Sequence, residues 1–206
     1  MPSEDEEHGS TTAKMFSWAA VTIVPSIRDG GRPRSMNQDH NAHETSGWLF
    51  VGTSKINGFG LFSSRTISSG DVVGKLFGAV LPVAHKRTIQ IDRHRHLCSD
   101  YIDFINHSCR PNAYVRVEGA SIVLNAIEQI RSDTDEITID YNCSEYSLAE
   151  SFSCRCCQIP NRICGYRYLV ETNQNDYLRR INRFALLHLA EMTSEVKRAS
   201  INPLSR

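Results

Sequence analysis

Short runs of apolar residues, separated by glycines and polar turns, alternate along the middle of the chain. Residues 48–51 predict a first strand, and the Asn57-Gly58 pair that follows is typical of a turn. Residues 71–80 predict a second strand that is interrupted by glycines. Residues 113–126 are expected to form a hairpin that turns at Gly119. Short strands with closely spaced turn signals predict a mainly β domain.

The pattern changes outside this region. Residues 137–139 predict one more short buried strand, whereas residues 81–100, rich in arginine and histidine, predict a polar loop or short helix. From about 175 to 197, apolar residues recur every three to four positions, which predicts an amphipathic helix. Packing on the domain is its expected role, with a dimer contact as the alternative. Residues 1–46 are polar and are expected to be mostly disordered, with a docked strand as the alternative for residues 18–24.

Composition narrows the class of protein. A chain of 206 residues suits one domain with tails. The formal net charge of zero gives no electrostatic reason to expect direct binding to nucleic acid or to a membrane surface. No apolar run reaches the length of a membrane span, and the N-terminus is acidic, unlike a secretory signal. We therefore expect an intracellular protein, either nuclear or cytoplasmic.

The cysteines are crowded. Four of the seven lie between residues 154 and 164, and in a reducing compartment such crowding favours metal ligation over disulfides. Cys98 and Cys143 lie apart from this cluster and are expected to be small core residues.

Three polar segments are candidates for a site. The first is residues 57–62, with glycines on both sides of Phe59. The second is residues 103–112, which contains Asn106-His107-Ser108-Cys109, and the third is residues 135–142, which ends in Asp140-Tyr141-Asn142. Each alone is compatible with an ordinary turn, a buried hydrogen-bond network or a satisfied core tyrosine.

In this order and spacing, the three segments resemble the signature segments of the SET-domain methyltransferases, over about residues 48–168. The resemblance implies a mainly β, β-clip fold with a knot-like crossing of the second and third segments, followed by the C-terminal helix predicted above. The expected organisation is a flexible N-terminal segment (1–46), a SET domain (47–146), a post-SET-like zinc segment (147–170), and a C-terminal helix and tail (171–206).

The resemblance also implies an activity. SET enzymes transfer a methyl group from S-adenosylmethionine (SAM), usually to a lysine amine of a protein, and Tyr141 would stand at the transfer centre. Residues that would bind SAM, by the same resemblance, are Asn57, Gly58, Phe59, Gly60, Asn106, His107, Tyr141 and Phe152.

A structural zinc ion is the second implied ligand. In the family, the cysteine of the Asn-His-Ser-Cys segment joins three post-SET cysteines, so the implied set is Cys109, Cys154, Cys156 and Cys164. The spacing differs, because seven residues separate Cys156 from Cys164 where the family usually has four. Cys157 could replace Cys156 as a ligand.

The chain departs from the family around the expected substrate channel. Leu76 and Ala79 stand where a tyrosine and a glutamate are usual, and Ile139 replaces an aromatic residue before Asp140. A roomier pocket is therefore expected. These changes leave open a SET-fold enzyme that acts on a small amine or amino-acid-like metabolite. A non-catalytic, zinc-stapled interaction module is the third alternative.

Overall fold

A computed structural model describes residues 47–157, 161–174, 176 and 185–201. The predicted N-terminal segment, with the strand expected at residues 18–24, lies outside these residues, as does much of the helix expected from 175 to 197. Within the part of the chain that the structure describes, no helix is long and apolar enough to cross a bilayer.

Twelve strands are described, so the prediction of a mainly β domain is confirmed. In chain order they are β1 (Leu49–Thr53), β2 (Phe59–Ser63), β3 (Val72–Leu76), β4 (Ala79–Leu81), β5 (Thr88–Gln90), β6 (His96–Cys98), β7 (Asn106–His107), β8 (Ala113–Glu118), β9 (Ser121–Ala126), β10 (Thr138–Ile139), β11 (Phe152–Ser153) and β12 (Arg162–Ile163). Among the described residues they form five small sheets: β1-β2, β3-β9-β8, β4-β6-β5, β7-β10 and β11-β12.

The hydrophobic core lies between these small sheets. Strand β9 is buried along its whole length and pairs with β3 on one side and β8 on the other. The side chains of Leu76, Leu97 and Ile122 are fully buried in the core that the sheets share. Each small sheet is therefore stabilised mainly by burial against its neighbours, because a two-stranded ribbon is marginal in water.

The predicted hairpin over residues 113–126 is confirmed, with Gly119 at the turn in the left-handed region (φ +62°). The first strand is longer than predicted, since β1 continues through Gly52 to Thr53. The interrupted strand over residues 71–80 is two strands, β3 and β4, that belong to different sheets.

The prediction of a polar loop or short helix over residues 81–100 is wrong. Strands β5 and β6 occupy this stretch, and their polar side chains are buried because they have distant partners. Gln90 accepts a hydrogen bond from the backbone of Tyr146 at 2.8 Å, and His96 approaches the carboxylate of Glu145 at 3.3 Å.

Among the described residues, two α-helices follow the strands. Helix α1 (Tyr166–Glu171) buries Tyr166 and Leu169, and was not predicted. Helix α2 (Leu187–Ile201) overlaps the end of the predicted amphipathic helix. Leu189 of α2 is fully buried in the core, which agrees with the expected packing on the domain.

Candidate functional site

The three polar segments meet in space. Strands β7 and β10 pair in parallel, which sets Asn106 beside Thr138 and His107 beside Ile139. The bridge between Leu61 and Ile137 ties the first segment to the third. Residues that are as far apart in the sequence as Leu61 and Ile137 therefore form one site.

The side-chain amide of Asn106 lies in a ring of oxygen atoms. Its nitrogen is 2.6 Å from Oε1 of Glu136, 2.9 Å from the carbonyl of Phe59, 3.2 Å from Oγ of Ser54 and 3.3 Å from the carbonyl of Asn57. An amide group has only two N–H donors for these four acceptors. The surplus of oxygen atoms, one of them on a carboxylate, suits a ligand that carries a cationic N–H donor.

Glu136 supports this ring, and sequence reasoning gave it no role. Its two carboxylate oxygens accept hydrogen bonds from Oγ of Ser54 at 2.9 and 2.7 Å, in addition to that from Asn106. A Cβ atom at Gly60 would come within 2.5 Å of the carboxylate carbon, so the glycine makes room for this side chain. Gly58 has a positive φ of +52° and accepts a hydrogen bond from the Ser54 amide at 2.9 Å.

Tyr141 follows β10 and contacts the residues around β7. Its hydroxyl donates a 2.6 Å hydrogen bond to the carbonyl of Ile105, and its amide donates to Nδ1 of His107 at 3.2 Å. Burial, followed by the negative charges of Asp103 and Glu136, raises the pKa of Tyr141 to about 12. The phenol therefore remains protonated at neutral pH, and its oxygen keeps lone pairs that can accept a hydrogen bond.

The side chains of His107, Tyr141 and Phe152 pack edge to face. Their ring centroids are 5.5 to 5.9 Å apart, although Phe152 remains 38% exposed. Burial lowers the pKa of His107 to about 4, so its ring is neutral. An exposed aromatic ring that packs on a buried one offers an apolar surface on which a flat or apolar ligand can stack. Phe59 is the second exposed ring, at 47%.

A cavity of about 300 Å³ opens beside Tyr141. Its apolar lining includes Ile102, Ile105 and Ile139, and polar side chains, among them Glu145, line other parts of it. The volume is at the low end of the range for ligand pockets. An amine that entered this cavity would lose hydrating water as it approached Tyr141.

Not all of the positions at which the sequence departs from the family pattern line this cavity. Ile139 lines it, as predicted for a channel residue. Leu76, by contrast, is fully buried in the core, and Ala79 is exposed in β4. Neither lines the cavity, so of the three departures only Ile139 changes its wall.

Three of the four predicted zinc ligands come together. Cys109, Cys154 and Cys156 form a group with His107 in which the ligand atoms all lie within 4.8 Å of one another. Burial raises the pKa of the Cys109 thiol well above its usual value, so several adjacent thiolates there need a cation beside them. Soft sulfur ligands at this spacing suit zinc, which would form a closed site with no open position for catalysis.

Cys164, the fourth predicted ligand, lies outside this group. Its backbone is fixed elsewhere: its amide donates to Oδ1 of Asn142 at 3.3 Å and its carbonyl accepts from the amide of Leu148 at 2.9 Å. Its sulfur accepts a hydrogen bond from Nε of Arg162 at 3.2 Å. Of the two cysteines predicted to be core residues, Cys143 is buried and Cys98 is partly buried.

Comparison with known families identifies the region that contains Asn106 and Tyr141. Residues 58–142 match the model of the SET domain. All three signature segments overlap the matched residues, so the resemblance found in the sequence is confirmed there.

One curated relative is the histone-lysine N-methyltransferase ATX2 of Arabidopsis thaliana. It is 29% identical over 131 residues, which are 52% of this chain but only 12% of the relative. The chain therefore spans about an eighth of the length of that protein.

Two solved structures are also similar in part. KRYPTONITE in complex with mCHG DNA and SAH is 26% identical, with a TM-score of 0.45 over 54% of this chain and 28% of that one. A putative histone methyltransferase of Plasmodium falciparum is 24% identical, with a TM-score of 0.42 over 48% of this chain and 96% of that one.

Proposed function

Taking the SET domain in residues 58–142 as the premise, we propose that the protein is a SAM-dependent methyltransferase that acts on a lysine amine of a protein substrate. The observation that carries this proposal is the position of Tyr141. Tyr141 lines a cavity whose apolar wall includes Ile105 and Ile139, and its amide donates a hydrogen bond to the histidine that follows Asn106 in β7. The cavity would receive the acceptor amine, and the polar ring around Asn106 would hold a cationic ligand.

The polar ring around Asn106 would hold SAM. An ammonium group has three N–H donors. The oxygens of the ring, including the carbonyls of Asn57 and Phe59, would accept hydrogen bonds from them. The Glu136 carboxylate would favour its charge. The exposed rings of Phe59 and Phe152 would cover apolar parts of the ligand. When bound, SAM supplies a methyl group on a positively charged sulfur.

The chain's own residues would prepare the acceptor amine. A lysine amine must lose its proton before it can act as a nucleophile, and the isoleucine-lined cavity would lower its pKa by removing water. The Tyr141 oxygen, whose proton is donated to the carbonyl of Ile105, would accept an N–H bond from that amine and so fix its direction. Most of the rate enhancement would come from this alignment.

The cysteine group would hold a structural zinc ion. Cys109 lies in the second signature segment, whereas Cys154 and Cys156 follow β11, which carries Phe152. A metal bound by all three would join the β11-β12 hairpin to the SET domain and would keep Phe152 against the ring of Tyr141. Its role would be to shape the site, with no part in the transfer itself.

The test uses SAM with a labelled methyl group. Purified protein is added to a cell extract, and the products are divided into macromolecular and small-molecule fractions. We expect label in protein, stable to acid and mapped to lysine by mass spectrometry. A parallel reaction with the Tyr141→Phe variant controls for methyltransferases in the extract.

Other outcomes point to the alternatives. Label confined to the small-molecule fraction would replace the lysine proposal with an enzyme that methylates a small amine, which the size of the cavity permits. No label in either fraction, with SAM still bound, would favour a non-catalytic interaction module.

A further inference from the structure

A fourth thiol, that of Cys157, lies beside the three already described. Cys109, Cys154 and Cys156 belong to one group of ligand atoms, and Cys157 contacts it through the sulfur of Cys156. The sulfur atoms of Cys109 and Cys154 are 3.8 Å apart, as are those of Cys156 and Cys157. In a tetrahedral site with Zn–S bonds of about 2.3 Å, sulfur atoms are about 3.8 Å apart. Two opposite edges of such a tetrahedron are therefore already present.

Amide groups surround this cluster and point at the sulfur atoms. The amide of Cys109 donates to Sγ of Cys156 at 3.2 Å, and the amide of Asn161 donates to Sγ of Cys154 at 3.1 Å. The side-chain nitrogen of Asn161 donates to Sγ of Cys109 at 3.3 Å. Such donors favour the thiolate form of a cysteine, which is the form that binds metal.

Asn161 also explains why the ligand set departs from the family spacing. It stands five positions after Cys156, where a four-residue gap would place the next cysteine. Its side chain reaches the cluster as a donor, with its nitrogen 3.3 Å from Cys109 and 3.8 Å from Cys157. The position is therefore used to support the sulfur atoms, and another cysteine is needed as the fourth ligand.

His107 does not fill that place, although it belongs to the group by distance. Its Nδ1 accepts the Tyr141 amide hydrogen at 3.2 Å, and the Asp140 carboxylate is 3.7 Å away, too far to take a proton from it. The ring proton is therefore on Nε2, which lies 3.3 Å from Sγ of Cys109. A nitrogen that carries a proton has no lone pair for a metal, so His107 is a donor to the Cys109 sulfur.

We infer that the metal site is formed by Cys109, Cys154, Cys156 and Cys157, with two adjacent residues binding the same ion, and that Cys164 is not a ligand. The ion is zinc or another divalent ion that prefers thiolates. This inference rests on the proposed metal centre but does not depend on methyl transfer, and it can be tested in a protein that has no activity.

The first test is alkylation of the native, zinc-loaded wild-type chain, followed by mass-spectrometric mapping of each cysteine. Cys157 is expected to be protected until a chelator is added, whereas Cys164 is expected to be modified at once. Because this measurement uses the unaltered protein, it does not depend on whether a variant folds. Wild-type protein that retains no metal after purification in zinc would overturn the inference.

The second test compares Cys157→Ser with the matched control Cys164→Ser by elemental analysis and by the absorption of the cobalt-substituted protein. Cys157→Ser is expected to lower metal affinity by more than the roughly 10- to 100-fold that loss of an outer-sphere partner costs. Cys164→Ser is expected to retain one metal ion per chain with an unchanged thiolate-to-cobalt band. The reverse pattern, with metal lost only from Cys164→Ser, would show that Cys164 is the ligand.

Discussion

Tyr141 is the residue on which the proposed chemistry depends, because it lines the cavity and its hydroxyl is oriented by a hydrogen bond to the carbonyl of Ile105. Tyr141→Phe removes one oriented polar group and little volume. We expect kcat to fall by roughly 10²- to 10³-fold, as when one preorganised hydrogen-bonding group is removed from an active site. The affinity for SAM, measured by calorimetry, should stay within about twofold, since the ring around Asn106 is unaltered.

Tyr114→Phe provides the matched control. Tyr114 is a partly buried residue of β8 that does not line the cavity, so its variant should keep wild-type turnover. Equal losses of turnover in the two variants would mean that the first loss reports on folding and not on the hydroxyl.

The raised pKa of Tyr141 leads to a prediction for the pH dependence of the reaction. With a pKa of about 12, the phenol stays protonated through the usual assay range. A free lysine amine, with a pKa near 10.4, loses its proton as the pH rises. We therefore expect kcat/KM to increase from pH 7 to pH 9, with no inflection from Tyr141. An inflection below pH 9 that disappears in Tyr141→Phe would instead make the phenolate a base.

At the scale of single residues, the sequence predicted side chains within recognisable segments and missed their distant supports. Asn106 and Tyr141 stand in segments whose order and spacing are distinctive. Ser54 stands in an unremarkable polar turn, and its partner Glu136 is 82 positions away. No local pattern in the sequence could have joined them.

Strands and helices were predictable where their partners are local. The β8-β9 hairpin pairs neighbouring residues across one turn, so its pattern is complete within 14 residues. Strands β5 and β6 were missed because their polar side chains are buried through contacts with residues 145 and 146. Because charged residues flank β6, the sequence pattern did not indicate that Leu97 is a buried core residue, although it is fully buried.

The junction between β3 and β4 gives a prediction at the scale of elements. A Cβ atom at Gly78 would collide with the backbone carbonyl of Cys98, the residue at the end of β6 that pairs with Ala79. Because backbone atoms cannot rotate away, Gly78→Ala should destabilise the fold by about 1–3 kcal/mol. Urea denaturation would measure this loss.

Gly47→Ala is the control for this measurement, since nothing lies within 4 Å of a Cβ atom at Gly47. Its free energy of unfolding should change little. If the two variants were equally stable, the close approach of β4 to β6 at this point would be contradicted.

At the scale of the whole molecule, the crowding of the cysteines predicts a metal centre, but the choice of its proposed fourth ligand depends on tertiary geometry. Spacing alone allowed several sets. The sulfur distances and the amide of Asn161 distinguish between them, and neither can be derived from the order of residues.

Removal of the metal should affect one part of the molecule and leave another intact. The proposed ion would join the β11-β12 hairpin to Cys109 in the region that matches the SET domain model, whereas the β3-β9-β8 sheet is stabilised by its own buried core. After chelation, amide hydrogen exchange should increase strongly in β11 and β12, since this hairpin has only two residues in each strand. Exchange in β8 and β9 should change little. Turnover should fall with the loss of order at Phe152, and both effects should reverse when zinc is restored.

The location of the increased amide hydrogen exchange distinguishes a metal that holds one hairpin in place from a metal that the whole domain needs in order to fold. If chelation increased exchange equally in β9 and β11, the ion would be needed for the fold of the entire domain. If it changed exchange in neither, Phe152 would be held by its contacts with His107 and Tyr141 alone, and the metal would not shape the site. A local increase is expected because, among its described residues, the hairpin buries Ile163 and Cys154 around the cluster, too little apolar surface to hold its position without the ion.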